Sequence, residues 1–199
     1  VYKALELNDA RESIHHAIDW ICDMPFSLKP VFIGYEISTS LLRDYDLSSN
    51  ILGVGLKSHP NDPWMLNNRA YVNARINKLD EAEKDMEQLE HCNKALSESM
   101  SICKEATHGL IAYRRKDREK GRKLYEQAIL RASTMKENSE EIKVKAQINM
   151  LREEIIFSNY QNTSALMELE QLVIPNEKLE LVKLRNEVCE KKKKNEKNQ

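Results

Sequence analysis

The sequence predicts an all-α protein, and three observations carry that prediction. The 199 residues include only five Gly and five Pro, so residues that break helices are scarce. Apolar residues recur at spacings of three and four, as in Ile33, Ile37 and Leu41, which is the period of an amphipathic helix. No convincing stretch alternates apolar and polar residues as a half-buried strand does. A sandwich, a barrel and a glycine-rich nucleotide-binding fold are therefore disfavoured.

Ten helical segments follow from this periodicity. Breaks near Pro25 and near Pro60 end helices because Pro has no N–H to donate within a helix. Asp46, Asp80 and Asp117 stand at the starts of apolar runs, where their side chains are predicted to cap helix N-termini. The predicted helices span residues 8–23, 30–43, 46–57, 63–76, 79–96, 102–115, 117–134, 139–157, 163–173 and 176–191.

The helices repeat in pairs along the chain. Ser48, Ala82 and Gly121 hold equivalent turn-and-helix positions, 34 residues apart (82 − 48) and then 39 apart (121 − 82). A short helix pair cannot bury its apolar face alone and does so against its neighbours. This periodicity therefore predicts a solenoid of stacked helix pairs.

The residues of these units resemble the tetratricopeptide repeat family, whose unit is an antiparallel helix pair of about 34 residues. The segment 60–82 carries the pattern best. The small residues Ala70 and Ala82 stand where the two helices of a repeat touch, and Gly109 and Gly121 hold those places in the next unit. The resemblance implies a right-handed α-solenoid of antiparallel helix pairs, with about three repeats and degenerate flanking helices.

The resemblance also implies how the chain is organised. In the unit from 28 to 60, Glu36 and Ser48 hold the places of the small residues. Because the chain begins with Val1 inside a predicted helix pair, we expect it to be a piece of a longer protein. The expected parts are residues 1–24 as the end of an earlier repeat, 28–138 as tetratricopeptide-like repeats, 139–190 as a degenerate repeat with a capping helix, and 191–199 as a disordered basic tail.

Composition limits the possible partners and compartment. Lys and Arg number 31 and Asp and Glu number 32, so no global field attracts nucleic acid or an anionic membrane. Apolar runs are short and no signal pattern opens the chain, so we expect a cytoplasmic protein that makes no membrane contact. The four Cys residues have no C-x-x-C spacing, which indicates reduced structural thiols.

Two E-x-x-H pairs, Glu12 with His15 and Glu105 with His108, have the spacing of di-iron ligands. The repeat places them on non-adjacent helices, so we expect no metal site. The segment 53–58 lacks the Gly that precedes the Lys of a phosphate-binding loop. We therefore expect no catalytic residues and no cofactor, and no enzymatic activity in this chain, while the activity of a longer parent stays open.

The family usually binds extended peptides on a concave face lined by the first helix of each unit. Here that helix carries one stripe of polar and aromatic side chains, with Asn to pair with a peptide backbone and Trp and Tyr to supply rigid apolar area. The next unit continues the stripe. The predicted peptide-binding residues are Trp64, Asn67, Asn68, Tyr71, Arg75, Thr107, Leu110 and Arg114.

Charge is strongly segregated in two neighbouring segments. Residues 114–123 hold seven basic and two acidic residues, whereas residues 79–90 hold six acidic residues and one basic residue. Two interpretations stay open. The segments could form salt bridges with each other on a solvated face, or the basic one could bind an acidic partner protein or a phosphate backbone.

The predicted function is a non-catalytic scaffold that binds a protein or an extended peptide. The alternative is a regulatory or dimerising C-terminal arm of a larger enzyme or DNA-binding protein whose active module lies upstream of residue 1. We do not expect a nucleic-acid partner for this chain, and a homodimer remains open.

Overall fold

The computed structural model describes residues 9–92, 95–136, 139–175 and 178–197, with side chains described through residue 190. Over these residues the chain forms ten α-helices and one π-helical segment, with no β-strand, which confirms the all-α prediction. The chain divides into two compact units, Val1–Leu96 and Ser97–Gln199. The boundary between them lies inside the 28–138 segment that the sequence assigns to repeats.

The described residues of the first unit form five α-helices, and each packs against the next along the chain. Pro30 lies in the first turn of the second helix, where an N–H has no intrahelical acceptor, and the helix therefore tolerates it. The helices are α1 (Ala10–Asp23), α2 (Leu28–Glu36), α3 (Tyr45–Ser58), α4 (Pro63–Arg75) and α5 (Leu79–Glu90), and α2 continues into the π-helical segment Ile37–Leu42.

Where the second unit is described, it also has five α-helices, and the third of these lies at the centre, packed against the other four. An apolar core joins that helix to the last two through side chains such as Ile148, Leu169 and Leu184. The helices are α6 (Glu98–Arg114), α7 (Arg118–Thr134), α8 (Ser139–Phe157), α9 (Thr163–Gln171) and α10 (Leu179–Lys197).

The turns inside the helix pairs share one geometry. Arg43, Asn77, Lys116 and Asn159 each follow the first helix of a pair with a positive φ, the left-handed conformation typical of a residue just after a helix. The first two lie 34 residues apart (77 − 43) and the next 39 further on (116 − 77), which are the spacings found in the sequence. The backbone thus repeats as helix pairs, while the superhelical arrangement of the pairs stays a prediction.

The small residues do mark helix contacts. Ala70 and Ala82 are fully buried. A Cβ on Gly109 would lie 3.0 Å from the Tyr125 ring, and one on Gly121 would lie 2.5 Å from the Tyr113 ring. In the second unit, glycine at both places is therefore what lets α6 and α7 approach each other.

The α2/α3 pair differs from the prediction. Glu36 is exposed, and the residue facing Ser48 is Ser38, whose Oγ lies 2.8 Å from the Ser48 Oγ. The π-helical segment Ile37–Leu42 winds extra residues into the helix and so changes which side chain faces α3. A pattern of spacings alone cannot show such a local change of helical period.

Several element ends also differ from the prediction. Asp117 caps α7 as predicted, but the cap of α3 is Asp44 rather than Asp46, and α5 begins after Lys78. The predicted helix 79–96 ends at Glu90, and α6 begins at Glu98 instead of 102. The α10 backbone continues to Lys197, through most of the segment predicted to be a disordered tail.

No helix in the described part of the chain has both the length and the apolar character needed to cross a bilayer.

Candidate functional site

The predicted stripe lies on α4, whose start the local sequence fixes. The Asp62 side chain accepts a hydrogen bond from the Met65 N–H, and Pro63 occupies the first turn, where its missing donor costs nothing. On the far side, Arg69 donates to both carboxylate oxygens of Asp85 and ties α4 to α5. The face that carries the stripe is therefore held rigidly on its scaffold.

The first half of the stripe combines an exposed aromatic ring with amides. The Trp64 side chain is 39% exposed, and Asn68 is half-buried. Asn67 lies between them in the sequence stripe but is only 4% exposed. Its Oδ1 is buried and accepts no hydrogen bond from the described residues. Since an unsatisfied buried acceptor costs free energy, Asn67 is expensive to keep at this position unless something donates to it.

The second half of the stripe is an arrangement of stacked guanidinium groups and tyrosines. Arg75 lies over the Tyr45 ring, 4.4 Å from its centroid, and donates to the Tyr71 hydroxyl at 2.9 Å. Arg43 donates to the Tyr45 hydroxyl at 3.3 Å. These contacts fix the Tyr71 and Arg75 side chains before any ligand arrives.

The remaining predicted residues lie in the second unit, on α6, and they face inward. Thr107 and Leu110 are 3% and 0% exposed, and the Thr107 hydroxyl donates to the backbone oxygen of Cys103. Helical spacing places them on one stripe, but a stripe of this kind can be buried by packing as well as exposed for binding. In their described positions neither side chain is open to a peptide.

Arg114, the last residue of the stripe, is held by a buried carboxylate. Its Nη2 donates to Glu153 Oε1 at 3.1 Å, and its Nε lies 2.8 Å from Glu153 Oε2 as an ion pair without hydrogen-bond geometry. Arg152 donates to the same carboxylate at 2.8 Å. Burial opposes the charge on Glu153, but the two guanidinium groups outweigh it and hold its pKa below the usual range.

A second carboxylate, Glu154, holds the start of the basic segment. Arg118 donates to Glu154 through Nε and Nη2, Arg122 donates through Nε at 3.0 Å, and Tyr113 donates its hydroxyl at 2.5 Å. Burial disfavours the charged carboxylate, yet these hydrogen bonds and charges lower the pKa of Glu154. Burial and the neighbouring carboxylate raise the pKa of Tyr113, which stays a neutral donor.

The partners of the basic segment, Glu153 and Glu154, were not predicted from the sequence. They lie more than thirty residues from the arginines of that segment, so no local spacing reveals the pairing. One signal was present. Arg152, Glu153 and Glu154 interrupt a run of core residues such as Leu151 and Ile155, and charged residues in an apolar helix need partners from other helices.

Around Glu154 the surface presents two cations beside one aromatic ring. The side chains of Arg118 and Arg122 are 45% and 49% exposed, although the carboxylate that they share is only 2% exposed. The Phe157 ring, 42% exposed, lies 5.7 Å from the Arg118 guanidinium. We call Arg118, Arg122 and Phe157 the guanidinium platform.

Metal chemistry finds no support in the described residues, where no three His, Cys, Asp or Glu side chains are grouped to hold an ion. Glu105 of one E-x-x-H pair accepts from Arg131 at 3.1 Å, and Glu12 of the other lies 3.5 Å from His16. The two pairs lie in different units.

No protein-family model matches the chain, and comparison with curated proteins and with solved structures found no match either.

Proposed function

We propose that the chain is a non-catalytic, tetratricopeptide-like scaffold that captures an extended peptide along α4. The observation that carries this proposal is the Trp64 ring, 39% exposed, at one end of a stripe of ordered aromatic and polar side chains. A peptide backbone offers an N–H every second residue on one side, which the amide oxygen of the half-buried Asn68 can accept.

The neighbours of Asn68 supply what a single hydrogen bond cannot. Trp64 and Tyr71 lie four residues before and three residues after it, so they flank it on the helix face. The exposed Trp64 ring gives a ligand rigid apolar area to bury. Asn68 has both a donor and an acceptor for a peptide unit. Because Arg75 already fixes Tyr71, little side-chain entropy remains to be lost on binding.

Burial of Thr107 and Leu110 confines the proposal to the first unit. Asn67 is buried to a similar extent, so we place the peptide on Trp64, Asn68, Tyr71 and Arg75, with no role for Asn67 or for the α6 residues. A cytoplasmic location is part of the proposal, and the four free thiols of Cys22, Cys92, Cys103 and Cys189 support a reducing compartment.

Asn68→Ala tests the proposal because it separates folding from binding. Asn68 is only half-buried, so shortening its side chain should change the melting temperature little. The same change should weaken the binding of peptides selected from a displayed random library by about tenfold, the effect of losing one good hydrogen bond. Fluorescence polarisation measures the affinity, and circular dichroism measures the melting temperature.

Two further variants bracket that result. Trp64→Ala should also weaken the selected peptides, since it removes the exposed anchor. Phe26→Ala, which deletes an exposed aromatic ring on the loop before α2, should leave affinity unchanged. Library selection that enriches no peptide, or peptides that bind the Asn68→Ala variant as tightly as the wild type, would refute the proposal.

A further inference from the structure

We infer that the guanidinium platform of the second unit is a docking site for a short acidic segment of a partner protein. The platform is distinct from the α4 stripe and lies in the other unit.

Positive charge exceeds negative charge at the guanidinium platform. One carboxylate, Glu154, faces both Arg118 and Arg122, so one positive charge is left over at the surface. The adjacent carboxylate does not neutralise it, because Glu153 binds Arg114 and Arg152. An anion that docks here therefore meets a surplus of positive charge at the platform.

The two guanidinium groups of the platform keep N–H donors that Glu154 does not use. A guanidinium group carries five N–H donors in a planar fork. Arg118 contributes Nε and Nη2 to Glu154, whereas Arg122 contributes Nε to Glu154 and is also hydrogen-bonded to the Tyr113 hydroxyl. Since each guanidinium group has five N–H donors, both arginines keep donors for a second acceptor. Because nearly half of each side chain is exposed, a carboxylate can reach them from solvent.

The two arginine side chains of the platform are held in place before a ligand binds. Free arginine side chains lose rotamer entropy when they bind an anion. Here Glu154 is buried and also fixed by the Tyr113 hydroxyl, so its hydrogen bonds hold both guanidinium groups in place before binding. Exposed lysines nearby, such as Lys120 and Lys123, show no ion pair in the described part of the chain and lack this support.

The surroundings of the platform favour a peptide over a nucleic acid. Phe157 adds an exposed apolar ring beside Arg118, which suits a segment where an apolar side chain neighbours a carboxylate. Glu119 and Glu126 are exposed on the same helix, α7. Because they lie three residues before and four residues after Arg122, a phosphate backbone running along the helix meets both of their charges, whereas a short peptide can place one carboxylate at the two arginines between them.

The test follows the side-chain Nε–Hε signals of Arg118 and Arg122 by NMR, assigned with Arg118→Gln and Arg122→Gln. The probe is a blocked peptide in which Asp and Glu flank a single Phe, and its control has Asn and Gln in their place. The acidic peptide should shift both arginine signals in a saturable manner, whereas the neutral peptide should shift neither. Equal shifts at every Lys and Arg would overturn the inference, as would stronger shifts with oligouridylate.

Affinity measurements with the same acidic peptide give a matched comparison. Arg122→Gln should weaken binding by about tenfold, as expected for losing a charge-assisted contact. Lys120→Gln removes the same charge from the same helix and should change affinity by less than about twofold. If both variants weaken binding equally, only general charge attraction operates and the platform is not a site. Asn68→Ala should bind this peptide normally, which keeps the outcome independent of the α4 proposal.

Discussion

The α2/α3 pair of the first unit and the α6/α7 pair of the second close with the same turn but meet through different chemistry. Arg43 and Lys116 adopt the same left-handed conformation after the first helix of each pair. Beyond that turn, Ser38 and Ser48 meet through hydroxyls 2.8 Å apart, whereas Gly109 and Gly121 meet beneath tyrosine rings. The backbone geometry is thus shared, and the contact chemistry is not.

This difference shows what a degenerate repeat must preserve. The turn fixes where the second helix starts, so any pair of small side chains that satisfies its own polar atoms can fill the contact. Hydroxyls need partners, and the first pair has them, since Ser48 donates to the Asp44 backbone oxygen and Ser38 donates to the Tyr35 backbone oxygen. Glycines need none, and the approach that they allow brings the Tyr113 ring over Gly121, with its hydroxyl on Glu154.

Loss of the Glu153 charge should lower the unfolding free energy of the second unit by the largest amount. Glu153→Gln leaves Arg152, itself 2% exposed, without its carboxylate in the protein interior. Removing one partner of a buried ion pair costs about 3–5 kcal/mol of unfolding free energy. Urea denaturation measures this loss. A loss below about 1 kcal/mol would mean that the cluster contributes little to the stability of the unit.

The wild-type protein offers a pH control for that variant. Since the pKa values of Glu153 and Glu154 are lowered in the folded state, their stabilisation is complete above the usual value of 4.5 and falls as the pH drops below it. The Glu153→Gln variant should lose less stability over the same acidic range, because one of the two groups no longer titrates.

Alanine at the equivalent contact positions should lower the unfolding free energy less than Glu153→Gln does, and it should lower it more in the α6/α7 pair than in the α2/α3 pair. Gly121→Ala places a Cβ 2.5 Å from the Tyr113 ring, which its bond to Glu154 holds in place, so it should cost about 1–3 kcal/mol. Ser48→Ala removes hydrogen bonds but leaves Ser38 bonded to the Tyr35 backbone oxygen, so about 1 kcal/mol is expected. Thermal unfolding compares the two.

Gly53→Ala is the matched control, because the nearest atom to its added Cβ is a flexible Arg69 nitrogen at 3.6 Å. Alanine there should be neutral or stabilising, since it is the better helix former. If Gly121→Ala behaves like Gly53→Ala, close approach of α6 and α7 does not depend on glycine.

Sequence reasoning predicted the helices well because periodicity and helix breakers are local. The spans of α4 and α8 were predicted to within one residue at each end, and Asp117 was correctly identified as a cap. Features that depend on a change of helical period were missed. The π-helical segment Ile37–Leu42 has no sequence mark of its own, and it replaces Glu36 by Ser38 at the helix contact.

The candidate sites divide in the same way. The stripe on α4 and its continuation on α6 could be predicted because the members on each helix share one face. The burial of Asn67 on α4 and of Leu110 on α6 could not, since tertiary packing covers them. The guanidinium platform required Glu154, which lies 36 residues from Arg118. A run of basic residues in sequence therefore gives the charge but not the carboxylate that orients it.

The most direct test of the α4 proposal is the emission of Trp64 in a Trp20→Phe background, which leaves it as the only tryptophan. A selected peptide that lies along the stripe buries the exposed indole, so emission should shift to shorter wavelength and saturate at the measured affinity. Peptide binding with no change in Trp64 emission would contradict the account, because the ligand would then occupy another surface.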